Sequence, residues 1–236
     1  MGSLKQILKT VTPGFVRRYL RKLHRDYKFS QAMKKFVSDP QSVIATQRTV
    51  ISDLIYGWGN EDWSALDEYL LGCLDQAWVC EGAVLECGSG LTTLILGVIL
   101  QTKGQHLWSL EHNPVWGDRV KKNLKRFGID SVQLCIAPLK DYGAFSWYDP
   151  PLNAMPEKFD LVVCDGPPSD TPGGRYGLLP VMKTKLQPGT TILLDDAARE
   201  QERAIATRWT NELGAASEVL GIKKPYLRIS IPIGVV

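Results

Sequence analysis

From Gly82 onward, short apolar runs alternate with segments whose apolar residues recur every three or four positions. The runs predict strands at Ala83–Cys87, His106–Leu110, Val132–Ile136, Phe159–Cys164 and Thr190–Leu194. The periodic segments predict helices at Leu91–Leu100, Val115–Phe127, Tyr176–Leu186 and Ala197–Leu213. Such alternation marks a parallel sheet with crossover helices. Gln187-Pro188-Gly189 stops one helix just before a strand, and two last strands, Ala216–Leu220 and Leu227–Pro232, flank a turn with Gly221 and Pro225. Seven strands ending in a close-coupled pair predict a mixed sheet with one reversed strand.

Upstream the pattern is helical only. Residues 1 to about 40 are broken once at Thr12-Pro13-Gly14 and closed by Asp39-Pro40. Within them Phe15, Val16, Tyr19, Leu20 and Leu23 recur beside arginines as an amphipathic basic helix. Two more helical patterns follow, one through Val43, Ile44, Val50, Ile51, Leu54 and Ile55, the other through Leu66, Tyr69, Leu70 and Leu74. Between them Tyr56-Gly57-Trp58-Gly59-Asn60 reads as a turn able to fold over a ligand, with Trp58 as a substrate contact or a core residue. The expected organisation is a helical extension over residues 1–80 and an α/β domain over residues 81–236.

Charge sharpens that division. Residues 1–35 hold ten basic side chains against Asp26 alone, a net +9; with +3 overall, the remainder carries −6. A basic segment on a mildly acidic body predicts contact with an anionic surface. No apolar run approaches the ~20 residues of a membrane span, and lysines and arginines interrupt any signal-peptide pattern at the N-terminus. The expected location is therefore the cytoplasm, and the basic helix either docks on an anionic surface, a membrane or an acidic partner, or packs its apolar face on the catalytic domain with its arginines solvated. Five cysteines without a C-x-x-C pair argue against a disulfide framework or a structural zinc site.

The strongest chemical signal is Val84-Leu85-Glu86-Cys87-Gly88-Ser89-Gly90-Leu91-Thr92-Thr93. A hydrophobic strand ends in an acid and passes through a Gly-x-Gly turn into a helix, whose first N–H groups are free to meet a ligand. Glu111 ends the next strand about 20 residues on, where an acid can accept from ribose hydroxyls. Glu86 would repel a pyrophosphate but attract an ammonium, and Thr93 stands where a dinucleotide fingerprint has its third glycine. These features favour S-adenosylmethionine over NAD(P) and leave two alternatives, a Rossmann oxidoreductase and a protein that works on nucleic acid or at a membrane surface.

Glu86-x-Gly88-x-Gly90, Glu111, Phe159–Gly166 and Leu186-Gln187-Pro188-Gly189-Thr190 resemble the motifs of class I S-adenosylmethionine-dependent methyltransferases. The resemblance spans roughly residues 80–232. It implies a Rossmann-like seven-stranded sheet in the order 3-2-1-4-5-7-6, with strand 7 antiparallel and helices on both faces. It also implies a cofactor lying across the ends of strands 1, 2 and 4, where strand 4 ends at Asp165. Glu86, Gly88, Ser89 and Gly90 would then meet its amino acid portion and Glu111 its ribose, while His112 and the Ala137-Pro138-Leu139 stretch would flank the adenine. Asn113 reads equally as the cap of a helix opening at Pro114.

Two strand ends are candidates for catalysis. Asp165-Gly166-Pro167-Pro168-Ser169 lacks the aromatic that a flipped nucleobase stacks on, which disfavours nucleic-acid methylation. Asp165, Asp195 and Asp196 match the places where magnesium-dependent small-molecule O-methyltransferases carry metal ligands, and oxygen donors suit Mg2+. A metal there would acidify a substrate hydroxyl; alternatively Asp196 caps the next helix and pairs with Arg199. The expectation is methyl transfer to a small molecule at oxygen, with Asp165 or Asp196 as base or metal ligand. Arg175 and Tyr176, in the glycine-rich loop Thr171–Gly177, are expected substrate contacts, and the stretch Asp141–Pro156 is a second candidate wall.

Overall fold

A computed structural model describes residues 13–59 and 67–233. The chain divides into two compact units, Met1–Ser64 and Ala65–Val236. In the first, α1 (Gly14–Ser38), α2 (Pro40–Thr46) and α3 (Arg48–Trp58) pack together. Phe29, Ala32, Met33 and Phe36 of α1 are buried, as are Val50, Ile51, Leu54 and Trp58 of α3. Gly57 lets the helices approach closely, because a Cβ there would overlap the Phe29 backbone. The apolar run Val43–Ile55 forms two helices rather than one, split at Gln47; Asp39 caps α2 by accepting from the Ser42 N–H at 3.0 Å.

The expected turn at Tyr56–Asn60 is instead the last turn of α3, ended by Gly59 at φ 71°; Asn60 lies outside the described residues. Trp58 is 3% exposed and packs against the Phe29 ring at 5.6 Å. It is a core residue of the helical unit, so the reading of Trp58 as a substrate contact on an open turn is corrected.

The second unit begins with α4 (Asp67–Val79), which the sequence placed in the extension. It goes with the sheet because its apolar face and its polar ends are both spoken for there. Tyr69 and Leu70 are buried, the Tyr69 hydroxyl reaches the Leu193 carbonyl at 3.4 Å, and the Lys103 ammonium donates to the carbonyls of Ala77, Trp78 and Cys80 at the helix end. At its other end the Glu68 carboxylate accepts from the N–H groups of Ile222, Lys223 and Lys224, which holds its carboxyl below the usual range.

Then follow β1 (Val84–Cys87), α5 (Leu91–Thr102), β2 (Leu107–Glu111), α6 (Pro114–Phe127), β3 (Val132–Ile136), β4 (Leu139–Asp141), β5 (Ser146–Tyr148) and β6 (Leu161–Cys164). After a 3-10 turn at Gly174–Gly177 come α7 (Leu178–Met182), β7 (Thr191–Leu194), α8 (Glu200–Leu213), β8 (Ala216–Leu220) and β9 (Tyr226–Ser230). The seven-stranded sheet runs β3-β2-β1-β6-β7-β9-β8, with β9 antiparallel to both neighbours. Counted without the β4–β5 hairpin, this is the expected 3-2-1-4-5-7-6 order. Strands β1 and β6 are buried throughout, and Leu91–Leu100 is buried along its whole length.

Three local differences have physical causes. The expected helix Tyr176–Leu186 is broken into 3-10 and α pieces, since Pro180 lacks an N–H and Gly177 lies flat against Trp147. The hairpin β4–β5 arises where the sequence pattern marked no strand; Trp147 and Tyr148 are fully buried and anchor it. Helix α8 starts at Glu200, not Ala197, because Asp196 leaves β7 at φ 63° and turns the chain back through the bond from Arg199 N–H to its carbonyl. Replacing Glu68 with Ala should speed amide exchange at Ile222, Lys223 and Lys224 without affecting β1 and β6. Unchanged exchange in the turn would show that this carboxylate does not hold it.

Candidate active site

At the C-terminal edge of the central strands, the ends of β1, β2, β6 and β7 meet. Backbone pairing continues one residue past the strands: Gly88 N–H donates to Leu110, Asp165 N–H to Cys87 and Asp195 N–H to Cys164. Gly88 turns at φ 93°, a conformation that favours glycine. Its backbone lies against that of Gly166, so a Cβ on Gly166 would stand 3.0 Å from the Gly88 Cα. Both positions exclude a side chain. Beside Gly90 the space is open, since a Cβ there would meet nothing within 4 Å.

The acid preceding this turn is not at its surface. Glu86 is fully buried, and its Oε2 accepts from the Ser109 and Thr93 hydroxyls, each at 2.6 Å. Thr93 in turn accepts from the Gly90 N–H at 2.8 Å, which explains a threonine at the third-glycine position. Oε1 has no protein partner. Burial pushes the Glu86 carboxyl up to about 7, against the pull of the Ser109, Thr93 and Thr92 hydroxyls. Its role in the structure is to organise the turn from beneath.

Glu111, at the end of β2, grips the turn from the side. Its Oε2 accepts from the Ser89 N–H at 3.2 Å and hydroxyl at 2.7 Å, and its Oε1 from the Asn113 N–H at 2.7 Å. The Trp116 indole donates to the Ser89 carbonyl at 2.7 Å, a contact that no motif marked. His112 is half-buried, with Nδ1 3.4 Å from Glu111 and its ring 6.2 Å from that of Tyr148. Asn113 caps α6 through Val115 and Trp116, as expected. Ala137 is buried, Pro138 exposed and Leu139 half-buried at the start of β4. The Tyr148 hydroxyl is buried without a protein partner beside Gly166.

Asp165, Asp195 and Asp196 converge, with one carboxylate oxygen of each within 4.8 Å of the others. They already have cations. Arg175 reaches Asp165 at 3.0 Å and Asp196 at 2.9 Å and donates to the Asp195 carbonyl at 2.7 Å. Lys224 lies 2.8 Å from Asp195 and 3.4 Å from Asp196, and Arg199 lies 2.9 Å from Asp196. Buried Glu202 completes the group, accepting from Ser169. Lys224, in the turn between β8 and β9, was missed because a lysine beside Lys223, some 28 residues past the acid pair, carries no signal that ties it to those acids.

The two strand ends differ in charge state. Burial and the neighbouring Asp195 push Asp165 up toward about 8 despite Arg175, and the quarter of its side chain open to solvent moderates that push. Burial acts on Asp196 in the same direction, but Arg175, Lys224 and Arg199 outweigh it and hold Asp196 below the usual range. Four carboxyls thus face three cations, with one carboxyl drawn toward neutrality. A divalent cation added there would lie against fixed positive groups, so this donor set does not fit Mg2+.

Two expected substrate contacts are otherwise engaged. The Arg175 side chain is 3% exposed and acts as the clamp just described, not as a surface loop residue. Tyr176 is turned to α8, where its hydroxyl is 3.3 Å from Glu212 and the Arg208 guanidinium lies 3.6 Å from its ring centroid. A cavity of about 550 Å³ opens at the opposite end of the strands, lined by Gly82, His106, Trp108 and Val132. Ligands of open α/β sheets bind at the C-terminal edge, so the strand ends above remain the candidate site.

Comparison with known proteins agrees with this geometry. Residues 85–197 match a family model described as a methyltransferase domain. An O-methyltransferase from Bacillus cereus, solved in complex with SAH, is 15% identical and superposes with a TM-score of 0.56 over 84% of this chain and 99% of its own. A methyltransferase from Pyrococcus furiosus is 16% identical, with a TM-score of 0.52 over 83% and 100%. Precorrin-6y C5,15-methyltransferase from Geobacter metallireducens GS-15 is 14% identical, with a TM-score of 0.52 over 74% and 96%. No protein of curated function matches the sequence significantly. The matched stretch, just under half of the chain, runs from inside β1 through the acid pair, and with the sheet order it supports the resemblance to class I S-adenosylmethionine-dependent methyltransferases. The match favours the methyltransferase reading over the oxidoreductase alternative.

The state of Glu86 is testable without a ligand. Between its ordinary value of 4.5 and about 7, the folded protein keeps a proton that the unfolded chain releases, so stability is lost as pH rises across that window. Glu86→Gln should therefore gain stability relative to the parent from about pH 4.5 to 7, with a constant gap above. Parallel denaturant midpoints for the two proteins across that range would refute a buried carboxyl of raised pKa.

Proposed function

We propose that the enzyme methylates a hydroxyl of a small molecule without a metal ion, with Asp165 as general base. The observation that carries this reading is the cluster at the ends of β6 and β7: one carboxyl drawn toward neutral pH beside others neutralised by Arg175, Lys224 and Arg199. A base works best when its pKa lies near the working pH, which selects Asp165 over Asp196. Asp196, held ionised by three cations, anchors the chain where it leaves β7.

The cofactor supplies an electrophilic methyl group on a sulfonium. This chain's residues would hold it in three ways. The bare backbone at Gly88 and Gly90 admits it close to the turn, and the start of α5 offers N–H groups. Glu111 stands at the rim where ribose hydroxyls would compete with Ser89 for its oxygens. The orphaned Oε1 of Glu86 and the Tyr148 hydroxyl leave polar capacity beside the turn. Asp165 would take the acceptor's hydroxyl proton, leaving its oxygen free to accept the methyl group. Positioning does the remainder. The acceptor's wall includes Phe145 and Tyr142, which stack at 5.3 Å on the hairpin β4–β5. The relatives' printed O-methyltransferase activity supports oxygen as the acceptor.

Asp165→Asn should lower turnover by about 10²–10⁴-fold, the span of general-base catalysis, while its affinity for S-adenosylhomocysteine stays unchanged. Parent activity should rise with pH to about 8, as Asp165 loses its proton, and a chelator should have no effect. Loss of activity with the chelator and recovery with magnesium would overturn the metal-free reading. Full activity in Asp165→Asn would remove the base assignment.

A further inference from the structure

We infer that the first half of α1 lies flat on a bilayer that carries anionic lipid. The exposed side chains of this helix include Phe15 at 67%, Tyr19 at 62%, Leu20 at 55%, Leu23 at 46% and Tyr27 at 62%. At about 100° per residue, they fall within one arc from about 0° to 140°, taking Phe15 as zero. The groups that meet α3 lie elsewhere. His24 packs against Tyr56, Arg25 lies over the same ring, Lys28 pairs with Asp53 at 3.0 Å and Phe29 meets Trp58. On the same scale these four occupy about 180° to 320°. Among the described residues the helix therefore meets its own bundle only from His24 onward and on the side away from the apolar arc, while the turns before it are largely exposed, so α3 does not cover the stripe.

Charge complementarity selects the occupant. On the same scale exposed Lys22, at about 340°, borders one edge of the apolar arc, exposed Arg17, Arg21 and Arg18, at about 200° to 300°, occupy the polar side opposite it, and Asp26 is the one acid within residues 14–28. An in-plane helix of this kind sinks its apolar face to the headgroup boundary while long basic side chains reach the anionic headgroups. Tyrosine suits that depth, since its ring is apolar and its hydroxyl stays wet. The stripe from Phe15 to Tyr27 extends about 18 Å along the helix at 1.5 Å per residue. An extended, shallow, basic-flanked stripe fits a lipid surface better than a protein pocket, which would gather its contacts at a few deep anchors. The length and the spread of charge thus point to the same occupant.

The test uses the full-length protein and vesicles of phosphatidylcholine, with and without phosphatidylglycerol. The parent should sediment with the anionic vesicles, release as salt rises, and stay behind with the neutral ones. Leu20→Glu/Leu23→Glu, on the outward face, should bind at least about tenfold more weakly, and Arg17→Gln/Arg21→Gln should lose most of the anionic preference. Each variant should keep the parent's circular dichroism and its affinity for S-adenosylhomocysteine, which separates surface loss from misfolding and from any failure of the methyltransferase reading. Equal sedimentation of parent and Glu variant overturns the inference. So does a parent that ignores phosphatidylglycerol, or a Glu variant that changes oligomeric state in place of vesicle binding.

Discussion

One guanidinium organises the chemistry end of this sheet. Arg175 reaches the backbone carbonyls of Asp165 and Asp195 and the carboxylates of Asp165 and Asp196, tying the ends of β6 and β7 together from a loop between them. Carboxylates crowded at adjacent strand ends are costly unless opposite charge is held at hydrogen-bond distance. With Arg175 in place and Lys224 and Arg199 outside it, Asp196 can remain ionised while leaving β7 at φ 63°. The same arrangement leaves Asp165 less compensated than its neighbours. The proposed division of work rests on this difference between two nearby aspartates, one stabilised as an anion and one pushed toward neutrality.

The other half of the site depends on closeness of backbone. Gly88 and Gly166 end neighbouring strands and approach until neither can carry a side chain. Two carboxylates then fix the turn from different directions: Glu86 from below through Ser109 and Thr93, Glu111 from the side through Ser89. A ligand meeting this turn finds a surface already held in shape, so little ordering cost falls on binding. Glu111 is the exchangeable part, since its hydrogen bonds to Ser89 are of the type that ribose hydroxyls could replace.

Much of this was legible in the sequence because it rests on short-range pattern. The strand ends, the glycine turn, Glu111 after β2 and the reversed last strand all follow from periodicity and turn chemistry, and the sheet has the expected order. Asn113 as a cap needed only its neighbour Pro114. What pattern did not disclose depends on long-range packing. Trp58 between glycines reads as an exposed turn until Phe29 is seen against it. Arg175 in a glycine-rich loop reads as a free cation until three acids from two other segments surround it. Lys224 has no local mark at all, and helix α4 joins the sheet unit through Glu68, Tyr69 and Lys103, whose partners lie distant in sequence.

The central claim is that a cofactor bearing an amino acid and a ribose binds across the ends of β1, β2 and β6. Hydrogen exchange of the full chain with and without S-adenosylhomocysteine tests it most directly, with NAD as the control ligand. The account predicts slowed exchange confined to the segments around Gly88–Gly90, Glu111–Asn113 and Asp165–Gly166, and no effect of NAD. Protection by NAD at those segments, or protection by S-adenosylhomocysteine only elsewhere in the chain, would contradict it.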